Sequence, residues 1–147
     1  MDVEAYALVV ELLSQAHNYG ESISAKLELW VGISSGLIVM AYFAPERLKL
    51  GVAGLVIFAY VTFTTFIITN IADDGALSAA TIQDARMIVE MHDLKSETLT
   101  QRLIDADSGR GSSLAFVIFF LTLFVGTVWY LAHTAWSTFN QNRSKND

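Results

Sequence analysis

The chain has no cysteine and a single proline, Pro45, in 147 residues. Without thiols it can form neither a disulfide framework nor a thiolate metal site. Ion-coupled transporters built on repeats use broken helices to make their binding sites, and the lone Pro45 ends an apolar run instead of interrupting one. Charge is the third scarcity. Only 16% of residues are Asp, Glu, Lys or Arg, and three stretches, 29–45, 50–72 and 111–142, contain none over 17, 23 and 32 positions. Proton and ion relays keep ionisable groups within the membrane. Here the one candidate is His133, a turn before Trp136, where hydrogen-bonded packing at the membrane boundary accounts for it.

Chemical motifs are missing as well. Asp105-Ala106-Asp107-Ser108-Gly109 begins like a calcium loop, but its sixth position is Arg110 and its twelfth is Phe116, where a bidentate Glu is needed. Glu90, Asp93 and Glu97 share a helical face near His92 without forming an HExxH or Glu-x-x-His pair, so they read as a solvated face. There is no phosphate-binding Gly-rich loop, nucleophile elbow or Ser-His-Asp order. The acidic balance, 9 Lys plus Arg against 15 Asp plus Glu, disfavours nucleic acid as a partner. The expectation is a protein without enzymatic activity, cofactor or metal.

What remains is apolar length. About 20 apolar residues in a helix cross the hydrocarbon of a bilayer, whereas a helix on a soluble core would interrupt each run with polar residues every third or fourth position. The sequence therefore predicts an all-α integral membrane protein with spans at 22–45, 48–72 and 112–136, in a single membrane domain covering 1–147. The 45–50 link and the 137–147 tail hold four bases and two acids, and the segments 1–28 and 73–111 hold five bases and thirteen acids. Basic residues near spans are retained on the cytoplasmic side. This asymmetry, +2 against −8, predicts an outer N-terminus and a cytoplasmic C-terminus, as three spans require, in a membrane of the bacterial inner type.

Two segments outside the spans are expected to be helical. In 1–20, Val3, Tyr6, Ala7, Val10 and Leu13 mark one apolar face of a short amphipathic helix, lying on the membrane surface or on the rest of the protein. Its start lacks a basic n-region, so it is expected to be retained and not cleaved as a signal peptide. Asn18-Tyr19-Gly20 is expected to end it, and Ser22 to cap the next helix. From 76 to 107, Thr81 with Asp84 resembles a capping box, and Ile82, Ala85, Ile88, Val89, Leu99 and Leu103 keep a helical period. This predicts one long amphipathic helix between the second and third spans.

Within the spans, the small and polar residues are the informative ones. Gly32 and Gly36 form a GxxxG pair, Gly51 and Gly54 open the second span, and Gly126 lies in the third, each allowing a close helix approach. At 100° per residue, Thr62, Thr65, Thr69 and Asp73 continue the face of Gly51 and Gly54. In the third span Phe119, Thr122, Gly126, Tyr130 and His133 form a similar stripe, with Val117, Leu121, Phe124, Val128 and Leu131 expected to meet lipid on the far side. Trp30, Trp129 and Trp136 suit interfacial belts. These features suggest a lipid-embedded subunit that assembles with itself or with other membrane subunits. The alternative is a homo-oligomeric cation channel lined by Thr62, Thr65, Thr69 and Asp73, since three helices enclose no pore alone.

Overall fold

The computed structural model describes residues 3–45, 48–94, 97–108 and 113–144. Its regular elements are four helices: α1 (Val3–Phe43), α2 (Leu50–Met91), α3 (Glu97–Ser108) and α4 (Ser113–Arg143). Three of them, α1, α2 and the Val117–Gln141 part of α4, are long and apolar enough to cross a membrane. At 1.5 Å per residue α1 and α2 each run about 60 Å, twice what the hydrocarbon requires. The chain divides into two compact units, one of Met1–Lys26 with Thr69–Ser113, the other of Leu27–Ile68 with Leu114–Asp147.

Two expected boundaries are absent. Asn18-Tyr19-Gly20 lies inside α1, where Gly20 has no left-handed backbone and its carbonyl accepts a hydrogen bond from Ser24 Oγ at 3.2 Å. A glycine inside a helix costs only about 1 kcal/mol relative to alanine, less than the packing on either side supplies, and no proline forces a break. Ser22 is thus mid-helix and not a cap. Likewise α2 passes through Asp73, Asp74 and Gly75 without interruption, and Thr81 sits within it, donating from Oγ1 to Leu77 O at 2.8 Å. The expected single helix over 76–107 is therefore the end of α2, a turn, and the separate α3.

That turn has a definite chemistry. Leu94 N–H donates to Val89 O at 3.0 Å and Asp93 N–H to Glu90 O at 3.4 Å, the paired bonds of a Schellman motif. Asp93 takes the left-handed position with φ 46°. Leu94, the next residue, drops into the core, where Val89 packs against the same cluster. At the other reversal α1 stops at Phe43, because the residue before Pro45 is disfavoured in helical conformation.

The first unit is built on Ala5, Val9, Leu13 and Ala16 of α1, Ile82 and Ala85 of α2, Leu94, and Leu99 and Leu103 of α3. The N-terminal apolar face thus packs on the protein's own helices, with its centre moved from Val3 and Ala7, which are exposed, to Ala5 and Val9. In the second unit the inward residues are Trp30, Ser34 and Ala41 on α1, Ala53, Tyr60, Thr64 and Ile67 on α2, and Phe120, Thr127, Leu131 and Ala135 on α4. Their spacing of three and four is that of helices packing side by side.

Asp93→Val puts a β-branched residue into the left-handed position and is expected to destabilise the first unit by about 1 to 2 kcal/mol. Amide exchange in α3 should quicken in this variant. Unchanged protection would mean that the turn does not hold α3.

Candidate functional site

The most organised polar feature lies inside the second unit. Trp30 is fully buried, its indole Nε1–H donating to Thr64 Oγ1 at 3.0 Å. One turn on, Ser34 Oγ donates to Trp30 O at 2.8 Å and lies 2.7 Å from the Tyr60 hydroxyl. Because serine has one hydroxyl proton and the carbonyl takes it, the Tyr60 O–H donates to Ser34. The rings are covered from α4: Trp30 stacks on Phe120 with centroids 3.9 Å apart, and Tyr60 on Phe124 at 5.7 Å. Thr127, also buried, returns its hydroxyl to Leu123 O at 2.8 Å. No buried side-chain polar atom among the described residues lacks a partner.

This cluster revises three expectations. Trp30 cannot serve as an interfacial anchor from a fully enclosed position, whereas Trp129 and Trp136 are exposed. Leu131 is buried and Phe124 lies on Tyr60, so part of the α4 face expected to meet lipid is its packing face; Val117 and Leu121 do remain exposed. The expected small-residue stripe of α4 is turned more than a third of the circumference away, with Phe119, Thr122, Gly126 and His133 exposed and Tyr130 half-buried against the cluster of Ala41 and Leu131. The physical reason is size: two large rings on α1 and α2 need apolar partners of matching area, which Phe120, Phe124 and Leu131 provide and a glycine does not.

The glycines face outward. A Cβ built at Gly32, Gly36, Gly51, Gly54 or Gly126 would meet nothing within 4 Å, so none of them packs against the chain's own helices. Thr62, Thr65, Thr69 and Asp73 are exposed along α2, and the hydroxyls of Thr62 and Thr65 donate back to Phe58 O and Val61 O at 2.9 Å. The neighbouring Thr64 is the one turned inward. The side chains of Asp105 and Asp107, acids of the 73–111 segment whose charge predicts an outer position, lie outside the described residues.

In the first unit, Lys26 Nζ lies 2.6 Å from Asp74 Oδ2. This bond and one from Ser22 hold the Asp74 carboxyl below its usual range. No sequence pattern points to the contact, since its partners are 48 positions apart. An open groove of about 240 Å³ in the same unit is lined by Glu4, Ala5, Leu8, Ile88 and His92. Among the described residues no three His, Asp or Glu side chains converge as a metal site would require.

Thr64→Val, which keeps the shape and removes the acceptor of Trp30, is expected to cost about 0.6 kcal/mol, the average for hydrogen bonds between membrane helices. Trp30→Ala should cost about 3 to 5 kcal/mol, since it empties a packed position as well. Unfolding from mild into denaturing detergent measures both. Equal costs would mean that the hydrogen bond, and not ring packing, dominates.

Asp74 gives a pH dependence of definite sign. Its folded-state pKa lies below the unfolded one, so its contribution is complete above about pH 4 and disappears as pH falls through the lowered value. Hydrogen exchange in α1 and α2 should show this acid step in the wild type and lose it in Asp74→Asn. An identical step in both proteins would assign it to another group.

Comparison with family models, with curated proteins and with solved structures finds no match to this chain.

Proposed function

We propose that the protein is a non-enzymatic integral membrane protein that assembles through the small-residue faces of its helices, as a homo-oligomer or as a structural subunit of a larger membrane complex. One observation carries this reading: the chain packs its own helices with rings, Leu131, Ser34 and Thr64 together with Ala41, Ala53 and Ala135, and leaves Gly32, Gly36, Gly51, Gly54 and Gly126 on its outer faces with open space beyond each. Lipid tails provide no hydrophobic drive between helices, and small residues matter there because they let a second backbone approach. The charge asymmetry supports an outer N-terminus and a cytoplasmic C-terminus, as in a bacterial inner membrane.

A cation channel is the second reading, favoured by the exposure of Thr62, Thr65, Thr69 and Asp73 in helical register on α2. Only several copies could bring such faces around a common path.

Gly36→Ile tests assembly, because Gly36 is exposed and a Cβ there meets nothing within 4 Å in the chain. Self-association in liposomes, followed by energy transfer between labelled copies, should weaken by about 1 to 3 kcal/mol. A wild-type protein that stays monomeric and co-purifies with no other membrane protein overturns the reading. Cation flux above that of protein-free liposomes, abolished in Thr65→Leu, would favour the channel instead.

A further inference from the structure

One level of the second unit differs from the rest of its surface. Ala41, Leu48, Ala53, Leu131 and Ala135 form one cluster, and the Thr138 hydroxyl reaches Pro45 O at 3.5 Å. These contacts bring the end of α1, the Pro45 turn, the start of α2 and residues 131–139 of α4 to a common depth. Around that layer Tyr42, Phe43 and Trp136 are 68%, 77% and 57% exposed. They sit in two ring pairs, Tyr42 with Phe43 and Trp136 with Phe139, with centroids 5.0 and 6.1 Å apart. The other exposed Trp or Tyr among the described residues of this unit, Trp129, lies two turns from Trp136 on α4. Lys49 is exposed in the same layer and has no carboxylate partner among the described residues. The 45–50 link and the 137–147 tail together carry four bases against two acids.

We propose that this layer is a binding surface for anionic phospholipid, with the rings at the boundary of acyl chains and headgroups and the Lys49 ammonium on the headgroup phosphate. Trp and Tyr settle at that boundary because each joins an apolar body to a polar edge. A basic residue beside them adds attraction to an anionic headgroup and little to a zwitterionic one. An amphiphile fits both halves of the surface, whereas a free anion would gain nothing from four exposed rings. The proposal rests on the spanning reading of α1, α2 and α4, but not on assembly.

The test uses the full chain in phosphatidylcholine vesicles containing traces of spin-labelled phosphatidylglycerol or spin-labelled phosphatidylcholine. The motionally restricted fraction of each label reports contact with the protein. Phosphatidylglycerol should be preferred by about fivefold, the factor one basic residue near an anionic surface contributes. The preference should shrink in about 1 M salt, fall in Lys49→Gln and persist in Lys49→Arg. Equal association of the two lipids, or a preference unchanged in Lys49→Gln with an intact helical signal, overturns the proposal. The readout is independent of oligomeric state. A monomer that co-purifies with no other membrane protein and keeps the preference defeats assembly alone, and an assembled protein without it defeats the lipid surface alone.

Discussion

Trp30 is the point at which three helices of the second unit are joined. Its ring lies on Phe120 of α4, its N–H on Thr64 of α2, and its carbonyl takes the proton of Ser34, which in turn receives Tyr60. In a bilayer every polar group must find a partner within the protein, and a buried indole brings both a large apolar surface and one donor that needs an acceptor. Thr64 meets that need and thereby sets the rotation of α2. Once Trp30 and Tyr60 point inward, α4 must present large apolar residues to them, which it does with Phe120, Phe124 and Leu131.

The outward direction of the glycines follows from the same constraint. Gly32 and Gly36 flank Ser34 by two positions on either side, so a helix that turns Ser34 inward turns both glycines out. Thr62 stands in the same relation to Thr64, while Thr65 and Gly126 lie one position, about 100° of helix, from Thr64 and Thr127. Internal packing and outer smoothness are thus two consequences of one choice of helix rotation. The hydroxyls on the outer face satisfy themselves on carbonyls four residues back, leaving the face without unpaired donors at Thr62, Thr65 and Thr122. Such a face can meet lipid or another helix at little polar cost.

Among its described residues the first unit buries no aromatic ring. Its core is small and aliphatic, Ala5, Val9, Ala16, Ala85 and Leu99 among others, and alanines at contact positions let its helices lie close. Polar detail supplies its definition: the Schellman turn at Asp93 directs Leu94 inward, and the Lys26–Asp74 pair ties α1 to α2. With 25% and 16% of its side chains exposed, the pair is sheltered enough for its hydrogen bonds to outweigh screening. It also joins the single Lys or Arg of 1–28 to an acid, in a segment where acids dominate.

Helical class and three runs long enough to span were legible in the sequence, because apolar length is a one-dimensional property and charge cannot hide within it. The apolar periods of α1, α2 and α3 were legible too, since Leu13, Ile82, Ala85, Leu99 and Leu103 recur at helical spacing whatever they pack against. Helix ends other than the one before Pro45 were not. Gly20 and Gly75 look like breaks in isolation, and only the contacts on both sides of each decide that the helix continues, because those contacts exceed a local cost of about 1 kcal/mol. Helix rotation was equally hidden: glycine and threonine stripes mark a smooth face without saying what it meets. Tertiary structure decided that Trp30 is enclosed, that Phe124 and Leu131 pack inward and that the small faces look out, because the rings of Trp30 and Tyr60 and one indole donor had to be satisfied together.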